Sequence, residues 1–377
     1  MFVRGVKMYF DNGATTQVDP EVVKAMLPYF TKKYGNASSL HKYGREARKA
    51  IEDARTIIAN YLNVKPSEVI FTSGGTESDN LAIKGVAEAH GKGHIITSSI
   101  EHHAVLNTCK HLEKKGFKIT YLPVDKYGFV DLNKLRESIR KDTILVSIMH
   151  ANNEIGTIEP IEEISKICRR EGVLFHTDAV QSFTKVPIKG PDLISISSHK
   201  IHGPKGVGAL IKKESVKIVR QNDGGNHEFG LRAGTENVPG IVGFAKAVQL
   251  SKPSHVQEMT KLRDYIIDKI LKIPDSWLNG HREKRLCNNI NVSFKNIEGE
   301  SLLLYLDSKG IAVSTGSACS SHELKPSHVL MAIGLRPEEA HGTIRITLSR
   351  FNTKEEADTL IKEVEAGVEK LRRMSPW

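Results

Sequence analysis

The sequence predicts an α/β protein with a large domain built on a mainly parallel β-sheet and a smaller α+β domain. Three observations support this prediction. From about Glu68, short apolar runs rich in β-branched residues alternate with segments of helical spacing, the pattern of βαβ units. After about Ser251 a long helical segment leads into a different order of elements. The 377 residues also exceed one ordinary core, since domains typically hold about 100–200 residues.

The elements of the large domain follow from these runs. Predicted helices cover residues 21–32 and 46–62 before the sheet and residues 77–89, 104–115 and 161–171 within it. The predicted strands are residues 69–72, 94–98, 118–122, 143–148, 173–176, 193–197 and 207–211. We expect this domain to span residues 15–255 and to bind a cofactor.

The smaller domain has a different order of elements. A helix over residues 255–273 leads to a strand over 289–294 and a helix over 300–309. A strand over 343–349 and a last helix from Lys354 complete it. We expect this domain to consist of residues 1–14 together with 256–377.

Charge and cysteine content exclude several classes of protein. The net charge is +10, but the 54 Lys and Arg residues are interspersed with 44 Asp and Glu residues, which favours a solvated surface over a nucleic-acid footprint. The four cysteines form no C-x-x-C pair, so we expect no zinc module and no disulfide framework. No signal-like or membrane-length apolar stretch occurs, so we expect a cytoplasmic protein that does not contact a membrane.

Lys200 is the first candidate for chemistry. It lies in Ser197-Ser198-His199-Lys200-Ile201-His202-Gly203, directly after a predicted buried strand. Open α/β sheets bind ligands at the carboxyl ends of their strands, and partial burial makes a lysine amine more nucleophilic. The sequence therefore predicts a Schiff-base lysine at this position.

Polar residues at other strand ends fit one ligand. Gly75 and Thr76 open a helix after a strand, where backbone N–H groups bind phosphate. Asp178 ends an apolar strand, and a buried carboxylate needs a cation such as a protonated pyridine nitrogen. His102 and Asn152 follow two further strands and could lie on the ring and donate to a ring oxygen. Together these residues predict a site for pyridoxal phosphate.

Five motifs carry a family resemblance. They are Ser-Gly-Gly-Thr-Glu-Ser-Asp-Asn, Glu-His-His-Ala-Val, His-Ala-Asn-Asn-Glu-Ile-Gly, His-Thr-Asp-Ala-Val-Gln and Ser-His-Lys-Ile-His-Gly-Pro-Lys-Gly. In this order they resemble the cysteine desulfurases of the NifS/IscS-like type, and the match runs from about Tyr9 to about Phe351. The resemblance implies the fold-type-I architecture of pyridoxal phosphate enzymes, related to class V aminotransferases, and a homodimer.

The resemblance also implies roles by motif position. Lys200 would bind the cofactor as a Schiff base and Asp178 would pair with the pyridine nitrogen. Gln181 and Asn152 would bond the ring oxygen, and His102 would stack on the ring and move protons. The positions that match the family's phosphate-binding residues are Gly75, Thr76, Ser197, His199 and, supplied across the dimer, Thr235.

The reaction is indicated by a second-domain loop, residues 314–325, which contains Cys319 among small polar residues. The other cysteines, at 109, 168 and 287, lie in helical stretches or before a strand. The resemblance implies that Cys319 attacks the sulfur of L-cysteine, becomes a persulfide and leaves L-alanine. Arg345, and Asn152 with it, would bind the substrate, Arg345 through its carboxylate. We expect no intrinsic metal, and leave open that Cys319 is a transient iron–sulfur ligand.

Several alternatives remain open at this point. Selenocysteine lysis or another pyridoxal phosphate lyase or aminotransferase reaction would use the same Lys200 and Asp178. A nucleic-acid-binding protein without catalysis is the alternative from a different class. The expected sulfur acceptor is an iron–sulfur scaffold protein or a tRNA-thiolation enzyme, and the sequence does not choose between them. Gly75, where the family frequently has alanine, His103 and Ser198 depart from the common pattern.

Overall fold

The structure is a computed structural model that describes residues 8–315 and 326–374. Its strands, in chain order, are β1 (Met8–Tyr9), β2 (Val69–Thr72), β3 (His94–Ser98), β4 (Lys118–Leu122), β5 (Thr143–Ser147), β6 (Leu174–Asp178), β7 (Leu193–Ser197), β8 (Gly208–Lys212), β9 (Ser276–Leu278), β10 (Asn289–Phe294), β11 (Ile311–Ala312), β12 (Ser314–Thr315) and β13 (Thr343–Thr347). All seven strands predicted for the large sheet are present within two residues of their predicted ends.

The helices of the described residues are α1 (Pro20–Met26), α2 (Pro28–Thr31), α3 (Lys42–Leu62), α4 (Gly75–His90), α5 (His103–Lys114), α6 (Leu132–Ser138), α7 (Ile161–Arg170), α8 (Val238–Leu250), α9 (Pro253–Ile270), α10 (Gly299–Ser308), α11 (His328–Ala332), α12 (Pro337–His341) and α13 (Lys354–Met374). The single helix predicted over residues 21–32 is two helices, because Pro28 lacks the N–H that would continue the hydrogen-bond ladder. In the part of the chain described, no helix is long and apolar enough to cross a membrane.

The large sheet has seven strands in the spatial order β2-β8-β7-β6-β5-β3-β4. Strands β3 to β7 pair in parallel, whereas β8 runs antiparallel to both of its neighbours, β7 and β2. The prediction of a mainly parallel sheet is therefore confirmed. The carboxyl ends of β3, β5, β6 and β7 meet at one edge, which is where ligands bind to such sheets.

Helices cover both faces of this sheet, so its strands are apolar on both sides. On β7, Leu193 packs with α4 and α5, whereas Ile194 and Ile196 pack on the opposite face with α3 and α8. Helix α8 was not predicted, because its sequence is apolar around nearly its whole circumference and has no polar face to show a helical period. Such a helix must be buried, and α8 packs between α1 and α3.

A second, antiparallel sheet has the order β12-β13-β10-β9 and packs against α9, α10 and α13. The first described residues of the chain join this unit. Strand β1 pairs in parallel with β11, and Met8 and Phe10 share a core with Ile290 and Ile344. The assignment of residues 1–14 to the smaller domain and the domain boundary near residue 255 stay predictions.

Candidate active site

A cavity of about 280 Å³ lies at the carboxyl ends of β5, β6 and β7. Most of the site residues predicted from the sequence line it: Gly75, Thr76, His102, Asp178, Gln181, Ser197, His199, Lys200 and Arg345. These residues come from helices, strands and turns that are far apart in the sequence, so the tertiary fold alone brings them together. No cluster of metal-ligating side chains occurs among the described residues.

Lys200 ends a 3₁₀ turn, Ser198–Lys200, that directly follows β7. Its Nζ donates to the carbonyl oxygens of Gly13, at 2.6 Å, and Ala14, at 2.7 Å. The Gly13 carbonyl also accepts from Gln181 Nε2 at 2.9 Å. The segment after β1 therefore closes the cavity over the lysine. Sequence reasoning missed Gly13 and Ala14, whose small size was the signal for a close backbone approach.

Asp178 is the last residue of β6, and only 7% of its surface is exposed. Its Oδ1 accepts from the backbone N–H of Val180 at 2.9 Å. Burial raises the pKa of this carboxyl to about 6, and the nearby Lys200 ammonium opposes part of that rise. A second cation on the cavity side would favour the ionised form further, and a protonated pyridine nitrogen is such a cation.

His102 is the N-cap of α5, and its Nδ1 accepts from the backbone N–H of Ala104 at 3.1 Å. Burial, helped by the positive charges of Lys200 and His103, lowers its pKa to about 4. The imidazole is therefore neutral near pH 7. Because Nδ1 is an acceptor, the proton of the neutral ring is assigned to Nε2.

Donors for a phosphate group converge at another side of the cavity. Gly75 and Thr76 form the first turn of α4, whose N–H groups have no partner within the helix. The hydroxyl of Ser197 is buried and has no hydrogen-bond partner among the described residues. His199 lies opposite, with Nδ1 3.2 Å from Thr15 Oγ1 and a pKa that burial and nearby lysines lower to about 4. This unsatisfied hydroxyl beside a helix N-terminus fits a phosphate.

Arg345 lies on β13 and is almost fully buried, with 4% of its surface exposed. Its Nη2 donates to Asp11 Oδ1 at 3.1 Å, and its Nη1 donates to the carbonyl of Asn153 at 3.2 Å. Its Nε is buried and has no partner among the described residues. Two contacts thus fix the guanidinium, and one N–H remains for a ligand such as a carboxylate.

Asn152 is a predicted site residue that the structure does not place in the cavity lining. Its side chain is fully buried, with Nδ2 donating to the Ile100 carbonyl at 2.8 Å and Oδ1 accepting from the N–H groups of Glu154 and Ile155. The next residue, Asn153, lines the cavity instead. Two consecutive asparagines look alike in a sequence, and only the turn after β5 decides which one faces the ligand.

Two further predicted site residues stay predictions. Thr235 is exposed and does not line the cavity, so its contribution across a dimer stays a prediction. Cys319 lies outside the described residues. The other three cysteines are buried, and burial raises the pKa of Cys109 and Cys168 to about 12.

Sequence reasoning also missed Asp79, a buried carboxyl that lines the cavity beside Asp178. It belongs to the motif that supplies Gly75 and Thr76, but no role was assigned to it. The signal was an acidic residue on the inner face of a helix, four positions after Gly75.

Comparison with known proteins gives consistent matches along almost the whole chain. Residues 8–360 match the family described as aminotransferase class-V. The chain is 55% identical to a protein named cysteine desulfurase IscS from Dictyoglomus turgidum, over 98% of this chain and 97% of that protein. It is also 55% identical to a cysteine desulfurase IscS from Methanosarcina thermophila, over 98% and 94% of the two chains.

Solved structures agree with these sequence matches. A structure titled NifS-like protein superposes with a TM-score of 0.92 at 42% identity, covering 97% of this chain and all of that chain (100%). Another, titled SspA in complex with cysteine, superposes with a TM-score of 0.83 at 39% identity and covers 92% of this chain and 100% of its own. The likeness therefore includes both sheets and the cavity between them.

Proposed function

This chain belongs to the aminotransferase class-V family and is a cysteine desulfurase of the NifS/IscS type, and we propose that its cavity binds pyridoxal phosphate for this reaction. One observation carries the proposal. Lys200, Asp178 and the phosphate donors at Gly75 and Thr76 line one cavity, as an aldehyde, a ring nitrogen and a phosphate of one ligand would require. When bound, pyridoxal phosphate withdraws electrons from the substrate Cα, so that the Cα–H and Cβ–S bonds can break.

Each group of residues has a role that its contacts support. Lys200 Nζ would hold the aldehyde carbon, and Asp178 would hold the ring nitrogen as the ionised partner of a cation. The Ser197 hydroxyl and the first turn of α4 would bind the phosphate. Asn153 would face the ring or the substrate in the place that the sequence assigned to Asn152.

Arg345 would bind the carboxylate of L-cysteine. Its Nε is the buried donor without a partner among the described residues, and its other nitrogens are fixed by Asp11 and the Asn153 carbonyl. A substrate held at this end presents its Cα toward Lys200, which lines the same cavity.

Proton transfer at the substrate Cα would fall to Lys200 Nζ. His102 is neutral, but its Nδ1 lone pair is occupied by the Ala104 N–H and its Nε2 carries the ring proton. It can therefore orient a group or donate from Nε2, and it is poorly arranged to accept a proton. The amine of Lys200 is the base that remains in this cavity.

Cys319 would take the sulfur. Its thiolate attacks Sγ of the substrate, an S–S bond forms as the Cβ–S bond breaks, and protonation of the remaining three-carbon fragment gives L-alanine. The overall change, cysteine plus thiol to alanine plus persulfide, balances without an external oxidant. The three buried thiols are unsuited to this step, because burial raises the pKa of each one.

We also propose the oligomeric state, the location and the sulfur acceptor of the enzyme. The chain would act as a cytoplasmic homodimer, in which exposed Thr235 reaches the phosphate of the partner's site. The persulfide would pass to an iron–sulfur scaffold protein or a tRNA-thiolation enzyme. The names of the relatives support the first of these, and interspersed surface charge argues against direct nucleic-acid binding.

Mass spectrometry after incubation with L-cysteine tests the proposal. The peptide containing Cys319 should gain one sulfur atom, with one alanine formed for each sulfur transferred. Cys319→Ser should keep the visible absorption of the bound cofactor and lose sulfur transfer, whereas Lys200→Ala should lose that absorption. Cys168→Ser is the matched control and should keep both properties. Full sulfur transfer by Cys319→Ser would contradict the assignment.

A further inference from the structure

A second carboxyl lies beside Asp178 at the same cavity. Asp79 is on the second turn of α4, one turn after the predicted phosphate-binding residues Gly75 and Thr76, and 1% of its surface is exposed. Residues three and four positions apart share one face of a helix, so α4 directs its phosphate site and this carboxyl toward the same cavity. Both Asp79 and Asp178 line it.

The contacts of Asp79 come from the middle strands of the sheet. Its Oδ1 lies 3.6 Å from His176 Nε2 and has no hydrogen-bond partner among the described residues. The Ser195 hydroxyl also interacts with this carboxyl and lies 2.9 Å from His176 Nε2. His176 Nδ1 lies 2.8 Å from Ser147 Oγ. A chain of polar side chains thus runs from Asp79 across β7, β6 and β5.

This chain of polar side chains lies on the same side of the sheet as Asp178. His176 precedes Asp178 by two positions on β6, and Ser195 is the register partner of Asp178 on β7. Residues two apart on a strand share a face, so the polar chain lies directly behind the ring-binding carboxylate.

Among the described residues, no positive charge balances Asp79 from the side of His176. Burial lowers the pKa of His176 to about 3, so the imidazole is neutral near pH 7. The other charged groups that act on the pair are Glu101, which is also buried, and Lys200, whose positive charge favours ionisation of Asp178. Burial and the neighbouring Asp178 raise the pKa of Asp79 well above its usual value.

Two buried carboxyls that line one cavity and repel each other cannot both ionise cheaply, so the pair retains one proton. Asp178 has the Val180 N–H and either the Lys200 ammonium or, with cofactor bound, a pyridinium to stabilise its charge. Asp79 has the neutral hydroxyl of Ser195 and a neutral imidazole. The proton therefore belongs on Asp79.

We propose that Asp79 is a positioning residue that remains protonated and so leaves Asp178 as the single negative charge facing the ring nitrogen. This rests on the proposed function, because Asp178 meets a ring nitrogen only if pyridoxal phosphate binds here. As a neutral acid, Asp79 donates a hydrogen bond to the chain of polar side chains. Those side chains in turn fix the end of β6, which carries Asp178.

Infrared difference spectroscopy tests the protonation directly and needs no catalysis. At pH 7, with pyridoxal phosphate bound, Asp79→Asn should lose one carbonyl-stretch band of a protonated carboxylic acid relative to the unsubstituted protein. Glu137→Gln, a change at an exposed glutamate, should lose none. An unchanged band in Asp79→Asn would show that Asp79 is ionised and would overturn the proposal.

The coupling to Asp178 gives a second measurement that does not depend on the folding of an Asp79 variant. In Asp178→Asn the neighbouring charge is gone, so the Asp79 band should titrate at a pH lower by about one unit or more. An unchanged midpoint would mean that the two carboxyls do not share a proton.

The visible band of the bound cofactor separates this proposal from the proposed function. Asp79→Asn should keep the band and its neutral-pH form, whereas Asp178→Asn should change it. A large shift of the band's titration in Asp79→Asn would assign the charge to Asp79 and contradict the proposal. Absence of a band in the unsubstituted protein would instead contradict cofactor binding, while the infrared results would still decide the protonation of Asp79.

Discussion

At the scale of single residues, the absence of a side chain at Gly75 makes room for the side chain of Val180. A Cβ added at Gly75 would lie 2.5 Å from Val180 Cγ2, which is closer than side-chain atoms approach each other. Gly75 therefore leaves the space that the adjacent Val180 side chain occupies.

Gly75→Ala should therefore destabilise this protein by about 1–3 kcal/mol through overpacking. The double variant Gly75→Ala/Val180→Ala should recover much of that loss, because the second change removes the methyl groups that clash. Urea unfolding of the two single variants and the double variant measures the coupling. Additive effects would show that Val180 moves aside freely.

The reactivity of each thiol is a second property that depends on the surroundings of a single residue. Under native conditions at pH 7, iodoacetamide should alkylate Cys319 and leave Cys109, Cys168 and Cys287 unmodified, because burial raises the pKa of these three thiols and shields them. Cys319→Ser should take up label only after unfolding in denaturant. Mass spectrometry of native and denatured samples distinguishes the sites, and native labelling of Cys109 would contradict the expectation.

At the scale of elements, one buried ion pair joins a helix, a strand and a turn. Arg55 on α3 donates to both carboxylate oxygens of Glu228 at 2.8 Å and to the carbonyl of Val69 on β2. Glu228 in turn accepts from the N–H of Phe71 on β2. The guanidinium also packs between the rings of Phe71 and Phe229. This bidentate, fully hydrogen-bonded geometry is the kind that offsets the cost of burying two charges.

Removing one partner should leave the other charge buried without compensation. Glu228→Gln should lower the free energy of unfolding by about 3–5 kcal/mol, and the double variant Arg55→Met/Glu228→Gln should lose less than the sum of the two single changes. Chemical denaturation with both single variants measures the pair. As a control, Lys49→Gln breaks an exposed pair with Asp53 and should change stability by less than about 1 kcal/mol.

At the scale of the whole molecule, buried ionisable groups make stability depend on pH in both directions. Burial lowers the pKa of His94, His102, His150, His199 and His202 to about 4, so unfolding takes up protons, and stability falls, as pH drops from about 6.5. Burial raises the pKa of Glu101 to about 8 and of Glu154 to about 7, so unfolding releases protons and stability falls as pH rises above about 4.5. Between pH 6.5 and pH 8 the histidine effect is lost and the carboxyl effect dominates, because Lys185, whose pKa burial lowers to about 8, opposes it mainly at higher pH.

The melting temperature of the protein without added pyridoxal phosphate should therefore fall between pH 6.5 and pH 8. Glu101→Gln should flatten this fall, since glutamine does not ionise and unfolding then releases fewer protons. Calorimetry at several pH values measures the slope, with Glu137→Gln at the surface as the control. An equal slope in Glu101→Gln would show that Glu101 is already ionised at neutral pH.

The sequence by itself determined the strands of the large sheet and indicated the chemistry of this protein. The central strands of the large sheet are short, buried runs rich in apolar β-branched residues, because parallel strands are covered on both faces, and such runs are visible without a structure. Lys200 and Asp178 could likewise be assigned from the sequence, since a polar residue directly after a buried strand has few places to lie except the ligand-binding edge of the sheet.

The tertiary structure decided what depends on contacts between distant segments. Only the packed chain shows that Gly13 and Ala14 close over Lys200, that Asn153 and not Asn152 lines the cavity, and that Asp79 lies beside Asp178. Helix α8 was not predicted from the sequence, because a fully buried helix has no polar face to show a helical period. The residue pattern of one segment indicates which of its side chains are buried. A site also depends on which distant segments pack next to each other, and that is seen only in the folded chain.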